Sequence, residues 1–271
     1  MGDLELQQYL FDLQGYLVIE NVLTPTEVAT LNQLIDQQNL PTPDKQLRFG
    51  GAAGSAPVGP GFLAWGQPFC NLLDHLTIMP ILRFQLGDCF RLDRIYGIRM
   101  CQGMPRGHLH ADYGATSPTS KARSGEYHHF GVNEIHNGFT VVAWSLADAG
   151  PEYGGFCCIP GSHKSNFKLP QQISNEPAQA SCVVIPSAPA GSAVLFSEAL
   201  THGTATWHGE HQRRTLLYKY CVSHTAWSAR RVSRPDNVRL TPRQQILFSE
   251  PADPYRFFPS LFEDVEDGSK K

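Results

Sequence analysis

Apolar residues recurring at intervals of three and four predict helices in the first part of the chain. Residues 4–13 fit a short helix, and residues 15–20 form a run with β character. The next helix has a clear start, because Thr24 can cap it, Pro25 suits its first position and Glu27 can complete a capping box. We expect this helix to pack on the outside of a larger element.

A stretch rich in Gly, Pro and Ala follows at residues 41–66. It lacks the lysine followed by Ser or Thr of a phosphate-binding loop. We therefore expect a long surface loop of the kind that lines the entrance to a site. Residues 67–87 then predict two short helices that are interrupted near Pro80.

From residue 90 onward, short apolar runs alternate with Gly, Pro and polar turns. Strands at this density favour a β-sandwich or jelly roll over alternating β-α units. A further capped helix is predicted from Thr241. The predicted strands cover residues 91–100, 108–112, 138–146, 155–159, 182–185, 193–196 and 215–222.

Composition favours one globular domain over residues 1–271, with a frayed tail from about residue 263. A net charge of -3 argues against a broad surface for nucleic acid or anionic lipid. We expect no membrane association, because no segment reaches the roughly 18 to 20 apolar residues that cross a bilayer. The start of the chain does not resemble a secretory signal, and seven scattered cysteines indicate reduced thiols in a cytoplasmic protein.

The segment His-Leu-His-Ala-Asp at residues 108–112 carries the first candidate chemistry. Side chains two apart in a strand share a face, so His110 and Asp112 could reach one metal ion. Two histidines and one carboxylate form the facial triad that holds non-haem Fe(II) and leaves positions open. His202, which follows an apolar strand, is the candidate third ligand. A chance His-x-Asp and an ordinary histidine are the alternatives.

Two arginines begin the last predicted strand. Successive strand residues face opposite ways, so only one of Arg213 and Arg214 can point inward, where its planar fork could hold a carboxylate. Two solvated arginines are the alternative. His163 lies in the turn formed by residues 160–164, and a structural role there is favoured over a ligand role.

In this order, the motifs resemble the phytanoyl-CoA dioxygenase family of Fe(II)/2-oxoglutarate oxygenases. The resemblance spans roughly residues 5–222, and the ordered combination is more specific than any single motif. It consists of His110-x-Asp112, the string from Gly154 to Lys164, the segment from Phe196 to Thr204, and Arg213.

The resemblance implies a double-stranded β-helix, the cupin-like jelly roll, with helices packed outside. It implies that His110, Asp112 and His202 are the iron ligands. Arg213 and Thr204 would bind the distal carboxylate of 2-oxoglutarate.

Two further positions follow from the same resemblance. Trp144 matches an aromatic position near the cosubstrate, with a tryptophan of the core as the alternative. Arg214 is given an outward or structural role.

The chain departs from the family pattern in two places. Where the family often continues after the distal histidine with small residues and an Asn, this chain has Ala205, Thr206 and Trp207, which changes the rim of the pocket. Residues 113–137 are long for the link they make and predict a lid-like insertion, with an ordinary surface loop as the alternative. The candidate substrate contacts are Tyr113, His128, His129 and Trp207.

The implied function is a dioxygenase that uses Fe(II), 2-oxoglutarate and O₂ to oxidise a C–H bond of a small molecule, releasing succinate and CO₂. Hydroxylation is expected as the usual outcome, and Asp112, retained where halogenating relatives have a small residue, favours oxygen chemistry over halogenation. Desaturation, cyclisation and epimerisation stay open, as do substrate identity and oligomeric state.

Two readings from other classes compete with a dioxygenase. One is a non-catalytic jelly roll, and the other is a cupin-like hydrolase or isomerase that uses zinc or manganese. Since no basic cluster is visible along the chain, the sequence lends no support to a CoA thioester substrate.

Overall fold

The computed structural model describes residues 2–42, 47–53, 56–112, 129–131, 134–165 and 167–263. Short 3₁₀ helices cover Gly61–Trp65, Ser162–Lys164 and Pro177–Gln179. The α-helices are α1 (Gly2–Gln14), α2 (Pro25–Asp36), α3 (Gln67–Asn71), α4 (Met79–Leu86), α5 (Gln171–Asn175) and α6 (Pro242–Ile246). The strands are β1 (Tyr16–Ile19), β2 (Leu47–Ala52), β3 (Phe90–Met100), β4 (His129–Gly131), β5 (Glu134–His136), β6 (Phe139–Ser145), β7 (Gly155–Cys158), β8 (Ala193–Ser197), β9 (His202–Ala205) and β10 (Arg213–Val222).

Six strands form a large antiparallel sheet in the order β1-β8-β6-β10-β3-β2. A smaller sheet pairs β7 with β9. Single bridges widen this smaller sheet, joining His110 to His202 on one side and Val184 to Cys158 on the other. Among the described strands no ladder joins the two sheets into a closed barrel. The predicted jelly-roll class is confirmed, and the cavity described below lies between the sheets.

Strand β6 is buried along its whole length because both faces of the large sheet are covered. Phe139, Val141 and Ala143 face the smaller sheet, where they join one core cluster. Val142 and Trp144 face the helices, where they join the other. A strand that is covered on both faces typically has a continuous run of apolar residues, as β6 does.

Helix α2 packs against the core cluster on the helix-facing side of the large sheet through Val28, Leu31 and Ile35. Its start is the predicted capping box: the Glu27 amide donates to Thr24 Oγ1 at 3.3 Å, and the Thr24 amide donates to Glu27 Oε2 at 2.8 Å. The predicted cap at Thr241 is also confirmed at the start of α6.

Several predicted boundaries are wrong. The predicted strands at residues 108–112 and 182–185 are reduced to single bridges. Strand β2 lies inside the predicted loop at residues 41–66. Its Gly and Ala residues do not indicate a strand, and it forms because it pairs with β3 at the edge of the sheet. Close packing of Phe49 against Gly97 fixes that edge, since a Cβ at Gly97 would meet the ring at 2.2 Å.

Part of the predicted lid-like insertion is described. Strands β4 and β5 pair as an antiparallel hairpin within residues 113–137. Residues 113–128 lie outside the described part of the chain, as does the predicted frayed tail after residue 263.

Two global features complete the fold. All seven cysteines are free thiols. Over the ranges that the structure describes, no helix combines the length and apolar character needed to cross a bilayer.

We expect Thr24→Ala to lower the free energy of unfolding by about 1 kcal/mol, because it removes the capping acceptor of α2. Urea denaturation followed by circular dichroism measures the change. Thr26→Ala is the matched control, since Thr26 lies in the same exposed turn without a capping role. Equal losses in both variants would show that the cap contributes nothing.

Candidate metal centre

His110 and His202 face each other across a backbone bridge. The His110 amide donates to the His202 carbonyl at 2.9 Å, and the His202 amide donates to the His110 carbonyl at 2.8 Å. Directly opposed residues of an antiparallel pair project to the same side. The two imidazole centroids therefore lie only 4.6 Å apart, although the residues are distant in sequence.

Each imidazole is oriented by a backbone carbonyl two residues earlier in the chain. His110 Nδ1 lies 3.1 Å from the carbonyl oxygen of His108, and His202 Nδ1 lies 2.8 Å from that of Leu200. A carbonyl only accepts, so a hydrogen bond to it requires the proton on Nδ1 and leaves the lone pair on Nε2. This is how metal-binding histidines are commonly held.

Asp112 is anchored through both its backbone and its side chain. Its amide donates to the Glu198 carbonyl at 2.8 Å, and its Oδ2 accepts from Lys219 Nζ at 3.1 Å. Burial opposes ionisation of this carboxyl, but the charge of Lys219 and the nearby His202 and His110 outweigh it and hold its pKa at about 2. Asp112 is therefore a carboxylate at neutral pH.

Burial lowers the pKa of His202 to about 4, and the neighbouring His110 acts in the same direction. His202 is consequently neutral at physiological pH. A neutral imidazole and a carboxylate are the protonation states that metal coordination needs.

The three predicted ligands line one cavity of about 240 Å³. Within the described ranges, no three His, Cys, Asp or Glu side chains converge closely enough to form a ready-made metal site. Asp112 is ion-paired with Lys219. In donor type the set fits a centre of two histidines and one carboxylate, and Asp112 and His202 also have the protonation states that such a centre needs.

Arg213 lies in the same cavity with only 4% of its surface exposed. Its Nη1 lies 3.4 Å from Met100 Sδ, and its Nε is buried with no hydrogen-bond partner in the described part of the chain. Burial lowers the pKa of this guanidinium to about 10, so it stays charged at neutral pH. A buried cation without an anion is costly, and a bound carboxylate would relieve that cost.

Thr204 lines the same cavity and is buried, which leaves its predicted partnership with Arg213 open. Arg214 lies on the opposite face of β10. Its Nη2 donates to Asp36 Oδ1 at 2.6 Å and its Nε donates to Gln212, which ties the sheet to α2.

Trp144 does not reach the cavity, contrary to the predicted cosubstrate contact. It is fully buried on the helix-facing side of β6, with its ring centroid 5.5 Å from that of His75. The neighbouring residues Ala143 and Ser145 face the cavity instead. Trp144 is a core residue, the alternative that the sequence left open.

Trp207 is also fully buried, and it is absent from the cavity wall. Its indole N–H donates to the His211 carbonyl at 2.8 Å, which fixes the ring within the protein interior. The predicted substrate contact at Trp207 is therefore not supported. Tyr113, His128 and the side chain of His129 lie outside the described residues, so their predicted substrate contacts stay predictions.

The remaining histidines near these motifs have other positions. His108 is exposed, and only its carbonyl contributes by orienting His110. The His163 ring is buried in its turn, with Nε2 2.9 Å from the Asp12 carbonyl oxygen, which ties the turn to α1.

Two residues of the site were missed from the sequence. Lys219 shares the inward face of β10 with Arg213, Thr215 and Leu217, and the period of two could have found it. Glu198 comes directly after β8 and is fully buried. Its Oε1 accepts from the Gly138 amide, and no short-range signal marks this contact.

Burial raises the pKa of Glu198 to about 8, and hydrogen bonds from backbone amides offset only part of the effect. A raised folded-state pKa contributes stability that is present below the unfolded pKa of about 4.5 and is lost as the pH rises through about 8. The buried carboxyl therefore favours the folded state under mildly acidic conditions.

We expect Glu198→Gln to reduce the loss of stability between about pH 5 and about pH 8.5, since Gln resembles the protonated carboxyl. Urea denaturation of the metal-free protein at both pH values measures it. Glu210→Gln, at an exposed position, is the control and should leave the pH dependence unchanged. Parallel pH profiles for wild type and Glu198→Gln would contradict the assignment.

Comparisons with known proteins agree with this geometry. The family model described as phytanoyl-CoA dioxygenase (PhyH) matches residues 100–215. No curated protein sequence matches the chain. HygX from Streptomyces hygroscopicus, in a crystal structure with nickel and 2-oxoglutarate bound, is 23% identical and superposes with a TM-score of 0.66, covering 84% of this chain and 95% of HygX.

A second structure of HygX, with nickel, 2-oxoglutarate and hygromycin B bound, gives 24% identity and a TM-score of 0.65 over 81% of this chain and 88% of that one. SnoN, a non-heme alpha ketoglutarate dependent epimerase from nogalamycin biosynthesis, is 16% identical with a TM-score of 0.55, over 82% of this chain and 84% of SnoN. These similarities confirm the fold. The segment that matches the phytanoyl-CoA dioxygenase family model holds the three predicted ligands and Arg213.

Proposed function

We propose that this protein is an Fe(II)- and 2-oxoglutarate-dependent oxygenase that oxidises an aliphatic C–H bond of a small molecule. One observation carries the proposal: the cavity that holds two Nδ1-anchored histidines also holds the buried Arg213, whose Nε has no partner among the described residues. A metal-donor set and a carboxylate-binding cation in one enclosed space are the two requirements of this chemistry.

The proposed roles divide along the cavity. His110, His202 and Asp112 hold the iron, and Arg213 with Thr204 holds the distal carboxylate of 2-oxoglutarate. When bound, iron, 2-oxoglutarate and O₂ supply the oxidation: one oxygen atom enters succinate as CO₂ leaves, and the other enters the substrate as a hydroxyl group.

The protein contributes orientation and a dry environment. The carbonyls of His108 and Leu200 fix the two imidazoles, and Lys219 holds the carboxylate of Asp112. Apolar cavity residues exclude water from the reacting centre. These residues are Phe156, Val194, Phe196 and Leu217.

Relatives of the same fold support the cofactors and broaden the outcome. HygX structures contain nickel with 2-oxoglutarate, or iron. SnoN is described as an epimerase and SnoK as a carbocyclase. Hydroxylation is the proposed outcome because it is the usual result of this chemistry, and the presence of Asp112 argues against halogenation. Inversion of a stereocentre and ring closure are the alternatives that product analysis separates.

We expect anaerobic addition of Fe(II) and 2-oxoglutarate to produce a weak visible charge-transfer band, and air to produce succinate. His202→Ala and Asp112→Ala should lose both signals, because each removes an iron ligand. His208→Ala, which changes an exposed histidine, is the control and should keep both.

Absence of the band together with absence of succinate in the wild type would contradict the proposal. Hydrolysis or isomerisation supported by zinc or manganese, without succinate, would favour the cupin-like alternative. Metal binding with no turnover of any kind would favour a non-catalytic jelly roll.

We expect Arg213→Gln to weaken 2-oxoglutarate binding by roughly tenfold to a hundredfold, as for loss of a hydrogen-bonded charge pair. Calorimetric titration of the zinc-loaded protein measures affinity without turnover. Arg214→Gln removes the adjacent charge on the other face and should leave the affinity unchanged. The reverse pattern would show that the wrong arginine has been assigned.

A further inference from the structure

The cavity has a second cationic end. Arg94 lies opposite Lys219 in the pairing of β3 with β10, whereas Arg213 lies opposite Met100. Arg94 and Met100 are six residues apart on β3, which corresponds to roughly 20 Å along an extended strand. Arg94 and Arg213 therefore line the same cavity from opposite ends.

Arg48, on the neighbouring strand β2, joins Arg94 at this end. The two guanidinium groups lie 4.5 Å and 5.7 Å from the centroid of the Tyr96 ring. Both arginines and Tyr96 also line an adjoining cavity of about 410 Å³, bounded by the Gly-rich segment after β2. They consequently stand where the two cavities meet.

The three cationic side chains at this end of the cavity, Arg48, Arg94 and Lys219, differ in whether a carboxylate neutralises them. Lys219 is ion-paired with Asp112. Arg94 Nε is buried with no hydrogen-bond partner, and neither Arg94 nor Arg48 forms an ion pair within the part of the chain that the structure describes. Arginine cannot relieve this by losing its proton. Two guanidinium groups beside one ring thus form a site that an oxyanion would complete.

We propose that the substrate carries an oxyanion, a carboxylate or a phosphate ester, that binds Arg94 and Arg48. This inference rests on the proposed function, because it places the substrate at the end of the cavity that 2-oxoglutarate does not use. Phe156, Val194 and Phe196 also line the cavity and suit a mainly apolar body. The substrate class is a small amphiphilic acid whose oxyanion lies at the Lys219 end of the cavity.

The test compares three probes of equal chain length: hexanoate, hexyl phosphate and hexan-1-ol. Calorimetry or saturation-transfer NMR on the full-length protein, loaded with zinc and saturating 2-oxoglutarate so that Arg213 is occupied, measures binding without turnover. We expect one of the anions to bind at least about tenfold more tightly than the alcohol, as for a charge-assisted hydrogen bond. The stronger anion distinguishes a carboxylate from a phosphate ester.

Arg94→Gln should remove the preference for the anion. Arg213→Gln and Arg239→Gln should keep it, since Arg213 lies at the other end and Arg239 is exposed away from the cavity wall. Arg48→Gln, at an exposed position, decides the question if Arg94→Gln does not fold, with an expected loss of at least about threefold.

No preference in the wild type, or a preference lost only in Arg213→Gln, would overturn the inference. An Arg94-dependent preference in a protein that forms no succinate would leave this site standing while the proposed function fails. Succinate formation without any anion preference would give the opposite result.

Discussion

The mutual backbone hydrogen bonds of His110 and His202 are the constraint on which the candidate site depends. His110 does not belong to a regular strand, so this bridge, together with the hydrogen bond from the Gly107 amide to the Thr204 carbonyl, sets its register against β9. A slip of one residue would turn an imidazole to the other face. Because the backbone makes these bonds, both side chains remain available for a ligand, and the Asp112 amide is held in the same way by Glu198.

Strand β10 divides the charges of the molecule between two environments. Its inward residues place Arg213 and Lys219 in the cavity, while Arg214 ties the outer face to α2. Within the described ranges, four cationic side chains and one carboxylate, Asp112, line this cavity, although the whole chain carries a net charge of -3. The electrostatic potential inside the cavity therefore favours anions, although the net charge of the chain is negative.

Some of the buried polar atoms without a hydrogen-bond partner lie in or next to this cavity. Glu198 keeps an oxygen without a hydrogen-bond partner in the described part of the chain, and Arg213 and Arg94 each keep such a nitrogen. Such groups lower stability unless a ligand or partner completes them. The rest of the fold compensates through two well-packed cores, one on each face of the large sheet. The two cores thus stabilise a cavity in which charged side chains have polar atoms without hydrogen-bond partners among the described residues.

Local sequence patterns determined a large part of this protein. The capping boxes at Thr24 and Thr241 and most strands of the large sheet follow from spacing and turn chemistry, whereas the family resemblance selected the jelly roll over a sandwich. The ordered motifs also led to His110 and His202 together with Arg213, which the structure brings into one cavity. These features are encoded by residues close in sequence or by a resemblance that preserves their order.

Tertiary structure decided which residues share a space. Strand β6 is apolar on both faces, so its period could not show that Trp144 faces the helices. Arg48 and Arg94 lie near the same Tyr96 ring because β2 pairs with β3. The Gly- and Ala-rich sequence of β2 predicted a loop instead of this edge strand. The pairing of Lys219 with Asp112 depends on strand register across the cavity. The period of two in a sequence shows which residues of a strand share a face. Only long-range packing decides which other elements each face contacts.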